Sequence, residues 1–115
     1  RDKEIEWRVH RRFARALAEG LEPLGLPAFV RDFLVGVWAQ AIVVATRREG
    51  ASSETARRHR RVAIDLIASV QPKRSVEDRK RFLLALPSLM TGLHAGMASV
   101  EWPQADREAF LGELM

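Results

Sequence analysis

The sequence predicts an all-α domain, a compact bundle or orthogonal array of five to six helices. Three observations predict it. Apolar residues recur at helical spacing, and no stretch alternates polar and apolar over strand length. Ala, Leu, Arg and Glu dominate, and all are strong helix formers. No Asn-Gly or Asp-Gly pair marks a tight hairpin.

The first helix is expected from about Asp2 to Glu19. Ile5, Val9, Phe13 and Leu17 form one stripe. Asp2, Glu4 and Glu6 suit the positive end of the helix dipole, and Gly20 suits a left-handed cap. Leu21 to Leu26, with Pro23 and Gly25, read as a connector. Pro27 suits the first position of a second helix that reaches Arg47 or Arg48. From Phe33 to Ala45 that helix is apolar nearly all round, so it should be central, with Trp38 in the core. Ser53 should cap a third helix carrying Val62, Leu66, Ile67 and Val70, with Ile64 at the stripe's edge. Pro72 should end it. Ser75 and Asp78 resemble a capping box opening a fourth helix with Phe82, Leu83 and Leu86. Pro87 should interrupt that helix. A fifth helix, or a kinked continuation, holds Leu89, Met90, Leu93, Met97 and Val100, and Pro103 opens a last helix with Phe110, Leu111 and Leu114. No repeat of solenoid length is visible.

The 115 residues, 47% hydrophobic, suffice for one real core and exclude a disordered chain. The absence of cysteine excludes a disulfide scaffold and a thiolate metal site, and it fits a cytoplasmic protein. Charged residues interrupt every apolar run, so no membrane span is expected. Arg1 in place of an initiator Met, and the unfinished pattern Phe110, Leu111 and Leu114, suggest a single domain excised from a longer protein.

The chemistry-bearing residues do not assemble into a catalytic pattern. His10, His59 and His94 fall on three separate helices without zinc-site spacing, and each reads as surface or half-buried. The serines sit at caps or inside helices, outside any nucleophile elbow, and no phosphate loop occurs. Gly92 and Gly96 make a G-x-x-x-G pair, which on a soluble helix reads as the seat of a close neighbour. Trp7 falls off the Ile5/Val9 stripe, either exposed or over a second patch, and Trp102 precedes Pro103 at a turn.

Charge is more informative. The net charge is +4. Arg47, Arg48, Arg57, Arg58, Arg60 and Arg61 bracket the turn between the second and third helices, and a second basic group, Lys73 to Arg81, surrounds the next turn. At about 100° per residue, Arg57, Arg60 and Arg61 share a face while Arg58 turns away. With Arg47 and Arg48 across the turn, these form the candidate anion or partner patch. Neither run carries an interleaved aromatic for base stacking.

Three segments carry a resemblance. Leu26 to Ala39 (LPAFVRDFLVGVWA) resembles the LP-x-x-hydrophobic-x-x-F-L-x-x-x-W segment of a large uncharacterised proteobacterial family. Ser69 to Lys73 (SVQPK) is similar to its S-V-x-P-K run, and Arg79 to Leu93, with Leu86-Pro87-Ser88-Leu89, to its R-x-x-L-x-x-x-L-P-x-L helix pair. The likeness runs from about Pro27 to the end, over the C-terminal part of the family's domain. Members are long cytosolic proteins of unknown function, some labelled thymidine phosphorylase-like. The resemblance implies no catalytic residues and no cofactor. It often places a tryptophan just before S-V-x-P-K, where this chain has Ala68.

The expected function is a non-catalytic protein-interaction or regulatory module of a larger bacterial cytosolic protein. Its partner would be another protein or other domains of the parent chain, with a homo-oligomer also open. The alternative is an anion-binding module, for a cyclic dinucleotide or nucleic acid, through Arg47, Arg48, Arg57, Arg60 and Arg61. No metal or cofactor is expected.

Overall fold

Serines and prolines set the helix boundaries in a computed structural model that describes residues 2–115, with side chains from Lys3 onward. Among the described residues the backbone forms five α-helices and no strand. They are α1 (Asp2–Leu21), α2 (Ala28–Glu49), α3 (Glu54–Ser69), α4 (Val76–Ser99) and α5 (Gln104–Leu114). Ser53 Oγ accepts from the Ala56 amide at 3.1 Å and Ser75 Oγ from the Asp78 amide at 3.1 Å, so both expected caps form. Pro27 and Pro103 stand one residue outside α2 and α5, with extended ψ of 139° and 143°, as N-caps rather than first helical residues.

Several boundaries differ from expectation. Gly20 lies inside α1. The left-handed residue is Gly25 (φ 60°), after a 3-10 turn at Glu22–Leu24. There Pro23 suits the turn's first positions, and the missing Cβ makes the reversal easy. Of the two outcomes left open at Pro87, the structure has the continuation: α4 runs through it to Ser99 and no separate helix starts there. Its lost hydrogen bond lies on a solvent-facing stretch: Leu83, Leu84, Pro87 and Ser88 are all exposed, so water can reach the freed carbonyl. Within α2, Leu34–Trp38 forms a single π turn. His10 Nε2 donates to the Gly36 carbonyl of that turn at 3.0 Å, tying α1 to it.

The core is built around α2. Val30, Leu34 and Trp38 are fully buried with Leu66 of α3 and Leu93 and Met97 of α4. The Trp38 indole N–H donates to the His59 carbonyl at 2.7 Å. A Cβ on Gly96 would overlap the far edge of the same indole, and one on Gly92 would overlap Val62. The G-x-x-x-G pair is therefore the close-packing seat expected, receiving α2 at one glycine and α3 at the other. Phe33 stacks on Phe110 with centroids 4.0 Å apart and packs on Trp102 at 5.4 Å, which clamps α5 to the start of α2.

By length and composition, α2 and α4 are long and apolar enough to cross a membrane, which corrects the expectation of no such segment. The Arg31 and Asp32 pair is too sparse a charge to disqualify α2. Half of the apolar stretch of α2 is buried in the core described above, but only 28% of that of α4 is. The 24 residues of α4 extend about 36 Å, and the molecule measures 50 × 31 × 27 Å. The first half of α4 is a lightly covered arm.

The end of α4 is a Schellman turn. The Trp102 amide donates to the Met97 carbonyl at 3.0 Å and the Glu101 amide to the Ala98 carbonyl at 3.0 Å. The left-handed position between helix and Trp102 is held by Glu101 at φ 54°, the single non-glycine with positive φ among the described residues. A side chain there costs about 1 kcal/mol. Glu101→Gly is expected to raise stability by about 0.5–1 kcal/mol in a urea titration, with the m-value unchanged.

Candidate interaction surfaces

Of the arginines singled out in the sequence, Arg47 and Arg60 share one pocket, and Arg48 and Arg61 each face a carboxylate. Arg48 reaches back to Glu6 of α1 at 3.8 Å. Arg47 and Arg60 border one pocket with Val9, Phe13 and Ile42, where Arg60 donates to the Ala51 carbonyl at 2.8 Å. Arg61 pairs with Asp65 at 3.4 Å and borders a different pocket, beside Arg58, Pro87 and Thr91. Arg61 thus opens toward α4 together with Arg58, the residue expected to turn away. On α3, Ala56, His59, Val62 and Leu66 are buried, and Arg57, Arg58, Arg60 and Arg61 are all exposed on the outer side of the helix.

Lys73 and Arg81 of the second basic group line a groove of about 570 Å³ between the end of α3 and the start of α4. Its charges are mixed. Arg81 pairs with Asp78 at 3.6 Å, and Asp65 faces Arg61. Lys73 donates to the carbonyls of Ala68 (3.1 Å), Ser69 (2.8 Å) and Gln71 (2.8 Å) while lying 4.7 Å from the Phe82 ring centroid. The ammonium satisfies carbonyls that the end of α3 leaves free, at the negative end of its dipole.

Two surfaces escaped the sequence reading. On α1, Trp7 borders a shallow pocket with Arg8, Arg11, Arg12 and Arg15, and the Arg11 guanidinium lies 4.7 Å from the indole centroid. The run Trp7-Arg8-x-x-Arg11-Arg12-x-x-Arg15 is legible in the sequence as a basic stripe beside an aromatic. On α4, Val76 (65% exposed), Leu83 (56%) and Leu84 (81%) lie at helical spacing with exposed Lys80 and Pro87. Leu83 was expected to pack inward. Phe82, Leu86 and Leu89 face α3 instead, along the groove.

A family model for the third domain of the proteins of unknown function DUF1631 matches residues 2–115. The chain belongs to that family. No curated protein and no solved structure matches it. The match extends the likeness, expected from Pro27 onward, across α1. The segments that carried the resemblance serve packing in this DUF1631 domain. Leu26 to Ala39 supplies Phe33, Leu34 and Trp38 to the core, and Ser69 to Lys73 caps α3. At Ala68, where a tryptophan is often expected, the side chain is at the groove edge.

The histidines fall in three settings. His94 is exposed, His10 is half-buried against Gly36, and His59 is buried at 3% exposure, against expectation. The Trp38 ring, 5.3 Å away, and the helix-helix seam cover His59. Both of its ring nitrogens lack a hydrogen-bond partner. No group of three or more His, Asp or Glu among the described residues is placed to hold a metal ion.

Burial, and after it the Arg58 charge, lower the His59 pKa from the ordinary 6.5, with Glu49 opposing. The unfolded chain then takes up this proton at higher pH than the native domain. Stability present above the ordinary value is lost as pH falls through the lowered native value. The melting temperature is expected to fall between about pH 7 and pH 5, and His59→Leu should flatten that fall without lowering stability at pH 7. Parallel pH curves for the two proteins would show that another group is responsible.

Proposed function

We propose that the domain is a non-catalytic helical interaction module that docks against other domains of a larger protein, in keeping with the bacterial cytosolic setting the resemblance implies. The observation that carries this reading is the arm of α4. Val76, Leu83, Leu84 and Pro87 lie at positions i, i+7, i+8 and i+11, so a single helix face carries them. Such a stripe is costly to leave in water, by roughly 25 cal/mol per Å² of apolar surface. Exposed apolar stripes of this kind mark interaction sites.

The family description supports the choice of partner. A third domain has sister domains in the same protein, present at high effective concentration. A helix face presenting i, i+7 and i+8 anchors suits a groove on such a neighbour. On the opposite face of the arm Phe82, Leu86 and Leu89 line the groove beside α3, and Leu86 and Leu89 join the core, so the stripe is presented on an element anchored at its inner end. The Arg81–Asp78 ion pair on the arm is exposed, so it contributes little to stability.

The test is the double variant Leu83→Glu, Leu84→Glu. Both side chains are exposed, so its stability should lie within about 0.5 kcal/mol per site of the wild type. In size-exclusion chromatography with light scattering, the wild-type domain should co-elute with the separately produced sister domains, and the double variant should not. A wild-type domain that elutes alone from every sister domain overturns the reading.

A further inference from the structure

We propose that the arginine ridge of α1, with Trp7 at its edge, is a binding site for single-stranded nucleic acid. Arg8, Arg11, Arg12 and Arg15 occupy positions i, i+3, i+4 and i+7, so they form one straight ridge, and all four are exposed. No acidic residue occurs between Trp7 and Arg15. Among the described residues, Arg8 alone of the four has a carboxylate partner, Glu4 at 3.5 Å, and that pair is exposed and readily exchanged.

The ridge is a ready row of phosphate contacts. Neighbouring side chains along it stand about 5–6 Å apart at Cβ, a spacing an extended strand's phosphates can follow. Guanidinium forks suit phosphate oxygens. Trp7 adds the stacking platform that the turn arginines lack. The residue is 56% exposed, with the Arg11 guanidinium 4.7 Å from the ring centroid. An aromatic beside a basic groove is the combination that binds single strands with little sequence preference.

The arrangement favours this ligand over a bilayer. A membrane-docking helix needs its apolar residues together, flanked by cations. Here the arginines are central and divide Trp7 from the exposed Ile5 and Val9. It also favours α1 over the interhelical turn, where Arg48 and Arg61 face carboxylates and Arg60 a carbonyl. The site is separate from the α4 stripe, so it stands or falls independently of the docking reading.

The experiment is fluorescence anisotropy of a labelled oligothymidylate titrated with the 115-residue chain. Binding is expected at about 50 mM salt and should weaken about 20- to 50-fold by about 200 mM, as three or four phosphate contacts predict. The triple variant Arg11→Glu, Arg12→Glu, Arg15→Glu should abolish it. Trp7→Ala should weaken it at least about 5-fold, and Trp7→Phe should restore most of the loss. Circular dichroism should be unchanged in each, since all four positions are exposed. Arg57→Glu with Arg60→Glu should bind as wild type. The proposal is overturned by any of three results: no binding at the lower salt, undiminished binding by the α1 triple variant, or equal binding to polyglutamate or to phosphatidylserine vesicles.

Discussion

The contact of Trp38 with Gly96 is the constraint on which the rest of the domain depends. The indole is wholly buried, and a single added Cβ at Gly96 would collide with its far edge. The same ring donates its N–H to the His59 carbonyl. One side chain thus fixes the separation of α2 from α4 and the height of α3 against both. A buried indole needs a partner for its polar edge and a close neighbour for its apolar one, and this site supplies each from a different helix. Phe33, five residues earlier, packs on Trp38 at 5.7 Å and carries the arrangement outward to Phe110 and Trp102.

That packing decides what is left outside. With Leu89, Leu93 and Met97 committed to the core, the preceding turns of α4 run beyond it, and only their α3-facing side is covered. The apolar stripe of the arm is thus a consequence of where the glycines seat the helix. On the other side, α1 lies against the second half of α2 and its π turn through Phe13, Leu17 and His10. Its opposite face, with the arginine ridge, is turned to solvent. The two surfaces are on different elements, and their chemistries are different.

Much of the fold was legible in the sequence. The central place of α2 followed from its apolar run, and the burial of Trp38 with it. The serine caps and the close-packing role of Gly92 and Gly96 also followed from local chemistry. Pro87 left a break and a continuation both open, because its cost depends on what surrounds the freed carbonyl, and its exposure is a tertiary fact. Gly20 misled because the chain tolerated a helical glycine and placed its reversal after a 3-10 turn. The burial of His59 was invisible, since only the seam with Trp38 covers it. The turn arginines were legible as exposed, but the carboxylate and carbonyl partners that hold Arg48, Arg61 and Arg60 depend on tertiary contacts. The α1 ridge is a legible pattern of arginines at helical spacing, but its exposure depends on which face of α1 packs on α2.

A double-mutant cycle on Trp38→Phe and Gly96→Ala tests the central contact most directly. The added methyl clashes with the benzo ring of the indole, and a phenyl ring is smaller. Gly96→Ala should therefore cost about 1–3 kcal/mol in the wild-type background and clearly less in the Trp38→Phe background, with a coupling of at least about 1 kcal/mol. Costs that add within about 0.5 kcal/mol would contradict the account, because the two positions would then not be in register.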